Sequence, residues 1–118
     1  VSLAARNRRR GIAAEHRTKR WLREHGAPDA WRVPMSGAGA IDGDLRVGVL
    51  VLDLKYTKAA SYRVTREQLL KVASWSQAGR IGGLLIQFAG HQERWVVFDL
   101  EDVLDKFLPP DEDEAEGA

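Results

Sequence analysis

Gly43-Asp44-Leu45-Arg46-Val47-Gly48-Val49-Leu50-Val51-Leu52-Asp53-Leu54-Lys55-Tyr56 is the stretch on which the fold turns. Residues 43–47 and 49–56 read as two strands joined tightly around Gly48. The second strand is apolar on both faces until Asp53, as a central, covered strand should be. Residues two apart on a strand point to the same side, so Asp53 and Lys55 project together while Leu54 packs behind them. Charged side chains are rarely buried unless paired or bound to metal, so a strand that turns charged only at its end is a candidate site. Asp44 begins the neighbouring strand, where a cross-strand position brings its carboxylate near Asp53. Two converging carboxylates repel unless a proton or cation lies between them. Oxygen-only ligands favour Mg²⁺, and a lysine beside such an ion can orient water or stabilise charge on a phosphate. Asp42 rivals Asp44 for the first acidic position.

Upstream of this hairpin, residues 3–25 follow a helical pattern rich in Ala and Arg, with Gly26 and Pro28 as stop signals. Ile12, Glu15, Lys19 and Leu22 share one face of that helix, and an acid at Glu15 is unexpected there unless it meets a polar site or a basic partner. Residues 31–33 suit a short strand, and Met35 to Ala40 form a small-residue loop. Downstream, Thr65-Arg66-Glu67-Gln68 has the form of a capping box, which predicts a helix with Leu69, Val72, Ala73 and Ser76 inward and Gly79 at its end. Residues 81–88 and 94–98 read as strands around a turn at 90–93, and residues 100–108 as a last helix. The economical architecture is α/β, a single domain with a central mixed sheet flanked by helices.

At 118 residues the chain holds one core. We expect a domain over residues 1–108 and an acidic, disordered tail over 109–118, where Asp111, Glu112, Asp113, Glu114 and Glu116 follow Pro109-Pro110. The net charge of +1 hides a basic first quarter: Arg6, Arg8, Arg9, Arg10, Arg17, Lys19, Arg20 and Arg23. Such a cluster suits either a phosphate-binding surface or a solvated helix face. With no cysteine there are no disulfides, thiolate sites or cysteine nucleophiles. There is no long apolar run, so we expect no membrane partner and an intracellular, cytoplasmic protein. His16, His25 and His91 lack metal-ligand spacing, and Gly37-Ala38-Gly39 is no dinucleotide fingerprint.

Together, Arg10-Gly11-Ile12-Ala13-Ala14-Glu15, Met35-Ser36-Gly37-Ala38, Gly43-Asp44-Leu45, Leu52-Asp53-Leu54-Lys55 and Thr65-Arg66-Glu67-Gln68-Leu69 resemble the PD-(D/E)xK nuclease superfamily. Within it the chain is most similar to the archaeal-type Holliday junction resolvases and their phage-encoded relatives, from about Arg8 to Val103. The resemblance implies a restriction-endonuclease-like fold and a structure-selective DNA endonuclease that resolves four-way junctions by phosphodiester hydrolysis. It implies that Glu15, Asp44 and Asp53 serve Mg²⁺, with Mn²⁺ able to substitute, and that Lys55 assists the attacking water. Gln68 matches a polar position near the site, although the capping box accounts for it equally well, and Ser36 matches a loop serine near the junction. Arg8, Arg9, Arg10, Arg17, Arg32, Lys58, Arg63 and Arg66 would hold phosphates.

Asp53 stands where these resolvases usually carry glutamate, which shortens the reach to a metal. A homodimer is expected, because two symmetric cuts need two sites about a two-fold axis, with Trp75 and Phe88 as candidate contacts. The alternatives are another nuclease of the superfamily (flap, end-trimming or restriction type), a catalytically silent DNA-binding module, and an interaction domain acting through its tail.

Overall fold

A computed structural model describes residues 2–33 and 43–107. Ser36 and Asp42, and the acidic tail, lie outside the described residues. The elements are α1 (Leu3–Glu24), β1 (Trp31–Arg32), β2 (Leu45–Val47), β3 (Leu50–Thr57), α2 (Arg66–Ala73), β4 (Ile81–Phe88), β5 (Arg94–Phe98) and α3 (Leu100–Phe107). Five strands form one sheet in the order β1-β2-β3-β4-β5. Only β3 and β4 run parallel; every other neighbouring pair is antiparallel. The expected α/β, mixed-sheet, restriction-endonuclease-like architecture is what the chain adopts, and β3 is its central strand.

Helices cover the sheet from both sides. On one face Ala14 of α1 packs with Leu45, Leu52, Leu54 and Leu85; on the other Val72 of α2 packs with Leu84 and Ile86. In register, Asp53 lies beside Leu84 and Lys55 beside Ile86. Alternation therefore sends Asp53 and Lys55 to the α2 face and Leu52 and Leu54 to the α1 face.

Ser2 caps α1 by accepting from the Ala5 N–H at 3.1 Å. Near the other end Arg23 Nε donates to the Ala30 carbonyl at 2.7 Å, which fixes the entry into β1. The buried stripe of α1 is Ala14, Glu15 and Thr18, so Glu15 is inside as its position predicts. The capping box at Thr65 is also present, with both reciprocal bonds formed.

The end of α2 differs from expectation. The helix stops at Ala73 rather than near Gly79. Ser74 Oγ back-bonds to the Lys71 carbonyl at 2.6 Å, and Ser76 Oγ instead accepts from the Gly82 N–H of β4 at 2.9 Å. A Cβ on Gly82 would overlap the Val72 carbonyl, so the helix end is seated directly on the β4 backbone.

Trp75 and Phe88, the candidate dimer contacts, are only partly exposed. Both are half-buried against the Val72, Leu84 and Ile86 cluster of their own chain. The large exposed apolar side chains include Trp95, Leu100, Leu104 and Phe107 instead. Leu100, Leu104 and Phe107 fall on one stripe of α3 by helical spacing.

Candidate active site

The hairpin between β2 and β3 assembles the acidic pair. Gly43 has φ +83°, and a Cβ there would meet Val51 Cγ1 at 2.7 Å, so only glycine lets the chain enter β2 this close to β3. Asp44 follows at once. Its N–H donates to the Leu52 carbonyl at 2.8 Å, and its Oδ2 accepts from the Leu54 N–H at 2.8 Å. That second bond pins the carboxylate across the strand, beside Asp53. The two carboxyl groups are close enough that Asp53, when protonated, donates to Asp44. Asp44 is thus the acid that stands next to Asp53 among the described residues, as the cross-strand argument expects.

Asp53 is 7% exposed. Burial, then the hydrogen bond that its protonated form donates to Asp44, push its pKa up to about 6, against the pull of Lys55, whose Nζ is 3.5 Å from Oδ2. Asp44's charge raises it further, and Lys71 on α2 lowers it. An ionised Asp53 is therefore costly beside Asp44, and a cation there would relieve it.

Glu15 stands nearby but is engaged elsewhere. Its Oε1 accepts from Arg32 Nε at 2.9 Å, and its pKa is raised by burial first and by Asp44's charge next, with Arg32 opposing. Among the described residues no three acidic or histidine side chains gather into a ready cation cage. The donor set present, two neighbouring carboxyl groups beside a lysine, still suits a hard divalent ion that keeps waters and takes the rest of its shell from substrate phosphate.

Of the expected phosphate ligands, Arg10 and Lys58 line a groove of about 380 Å³ together with Lys55, Tyr56 and Thr57. Arg8, Arg9, Arg63 and Arg66 are exposed, Arg17 lies over the Tyr56 ring at 5.2 Å, and Arg32 is bonded to Glu15. Gln68 is occupied by the capping box, and its Nε2 donates to the Tyr62 hydroxyl at 2.8 Å. Sequence reasoning missed Lys71, whose charge reaches Asp53 from the helix opposite. Its place on α2, near the inward face, was the only available signal.

Residues 6–107 match the family model of the archaeal Holliday junction resolvases. The chain belongs to that family. No curated protein and no solved structure matches it. This resolvase is accordingly a nuclease that acts on four-way DNA junctions, and its substrate class is branched DNA. The flap, end-trimming, restriction-type and silent-module readings are not favoured. Nucleases of this family generally use divalent metal ions. No helix among the described residues is long and apolar enough to cross a membrane.

Proposed function

We propose that this resolvase cuts junction strands by Mg²⁺-dependent phosphodiester hydrolysis centred on Asp44, Asp53 and Lys55. The carrying observation is the Asp44–Asp53 pair, two neighbouring carboxyls of which one is pushed up to about 6, with Lys55 Nζ 3.5 Å away. Mg²⁺, or Mn²⁺ in its place, supplies a charge for the scissile phosphate and a more acidic water. Asp44 is held by the Leu54 N–H, so it is a fixed ligand position, while the cation would stabilise Asp53 in the ionised form that its surroundings disfavour. Lys55 orients the attacking water and offsets charge on the phosphate. The water loses a proton to solvent as its oxygen bonds to phosphorus, and the P–O bond to the sugar breaks, the leaving oxygen taking a proton from solvent.

Glu15 is the third acidic group in this scheme, available once Arg32 exchanges it for a phosphate. The Arg10–Lys58 groove carries the backbone next to the cut, and recognition of branch geometry needs no base contacts. Two cuts related by symmetry call for two copies, and the exposed Leu100, Leu104 and Phe107 stripe with Trp95 is where we place the second one. The acidic tail would limit binding to unbranched DNA by repulsion. We place the protein in the cytoplasm, that of the host if the source is viral.

Cleavage of a synthetic four-way junction tests the reading. Wild-type protein nicks it with Mg²⁺ and not in EDTA, and Asp53→Asn abolishes cutting while binding persists. Undiminished cutting by Asp53→Asn refutes the site.

A further inference from the structure

The helix α1 contains a single glycine, Gly11, well inside its 22 residues. Short of proline, glycine is the least favourable residue in a helix interior, so its presence there serves something other than the helix. At Gly43 and Gly82 the reason is close packing, since a Cβ would meet Val51 and the Val72 carbonyl. That reason does not apply to Gly11. Its backbone is helical with no positive φ, and a Cβ there would meet nothing within 4 Å among the described residues.

The space beside Gly11 is the groove next to the acidic pair. Gly11 and Arg10 line it from α1, while Lys55, Tyr56 and Lys58 line it from the end of β3 and just beyond. Its volume of about 380 Å³ is at the low end for a ligand pocket, closer to one nucleotide unit than to a duplex. Among the described residues no acid lines it, and neither Arg10 nor Lys58 takes part in an ion pair. Gly11 also stands one helical turn before Glu15, whose carboxyl feels both Asp44 and Asp53. The groove thus shares Lys55 with the acidic site and is built for an anionic chain.

We propose that Gly11 is a positioning residue for the cut strand: without a side chain, it lets the sugar–phosphate backbone lie directly against α1. Arg10 and Lys58 then hold a phosphate from either side, and the neighbouring one is delivered to Lys55. A bulky side chain at residue 11 would stand in that path. The helix gives up some stability for this access. The nature of the ligand rests on the nuclease reading; the open space at residue 11 rests on the geometry alone.

The test compares whole-chain wild type with Gly11→Ala and Gly11→Leu, both substitutes being good helix formers. In EDTA, Gly11→Ala should melt about 2–6 °C above wild type, and Gly11→Leu no lower than wild type. With Mg²⁺ and saturating protein, single-turnover cleavage of a four-way junction should fall about 10²-fold in Gly11→Leu and less in Gly11→Ala. Fluorescence anisotropy over a salt series in EDTA gives a second readout. Arg10→Gln should lower the slope of log K against log salt by about 0.9, the loss of one phosphate contact. In the Gly11→Leu background the same change should leave the slope unmoved, because that phosphate is already displaced. Wild-type cleavage by Gly11→Leu overturns the proposal, as does an undiminished Arg10→Gln effect in that background. A lower Tm in either variant overturns it too, since the fold itself would then need glycine. If the wild type neither binds nor cuts the junction, the nuclease reading fails and takes this ligand with it, so the two failures are distinguishable.

Discussion

Replacing Asp53 with asparagine should stabilise the metal-free protein while removing its activity. The folded pKa of Asp53, about 6, lies above its ordinary 3.8. The native state therefore retains a proton that the unfolded chain releases, and stability falls as pH rises from about 4 to about 6 and stays low above that. A rise of about two units corresponds to about 3 kcal/mol between the protonation states. That figure is already net of the pull of Lys55; asparagine replaces the protonated carboxyl's hydrogen bond to Asp44 with a less matched one, at a cost of about 1 kcal/mol. The net gain at pH 7.5 is about 2 kcal/mol, or a rise in Tm of roughly 6–12 °C for a chain of this size. The assay is thermal unfolding in EDTA at pH 4 and pH 7.5. Wild type should lose stability between the two while Asp53→Asn changes less, so the variants converge at pH 4. Saturating Mn²⁺ should then raise wild type by about 2–3 kcal/mol at a hundred times Kd and leave Asp53→Asn nearly unmoved. An Asp53→Asn protein no more stable than wild type at pH 7.5 in EDTA would show that the Asp53 pKa is not raised in the fold and refute the reasoning.

Four further outcomes are expected. Lys55→Ala should lower junction cleavage by about 10²–10⁴-fold with binding nearly unchanged, read by single-turnover kinetics and gel shift. Arg32→Met leaves the buried Glu15 carboxylate without its partner and should cost about 2–3 kcal/mol in EDTA, a deficit that shrinks in Mn²⁺ when unfolding is repeated. Gly82→Ala forces α2 off β4 and should cost at least about 2 kcal/mol by urea denaturation, with cleavage reduced only as far as folding is. Leu104→Asp, on the exposed stripe of α3, should shift the protein from dimer to monomer in sedimentation and suppress paired cuts.

What could be read from the chain follows from how local each determinant is. The capping box at Thr65, the strand Ile81–Phe88 and the Gly48 hairpin are spelled by neighbouring residues, and all are present. Asp44, Asp53 and Lys55 come together because a tight hairpin and strand alternation leave little freedom. The end of α2 was misplaced because its stop is a tertiary contact, Ser76 on Gly82, rather than a nearby breaker. Glu15 was legible as an acid inside a helix face, but its bond to Arg32 spans 17 residues, and nothing local announces it. Trp75 and Phe88 pack against the cluster around Val72, a tertiary contact that no neighbouring residue spells out.

The most direct measurement is an anomalous difference map from crystals soaked in Mn²⁺, for wild type and Asp53→Asn. The account predicts a peak between the Asp44 and Asp53 carboxylates in the wild type and none in the variant. A peak bound by other residues, or one that survives Asp53→Asn unchanged, would contradict it.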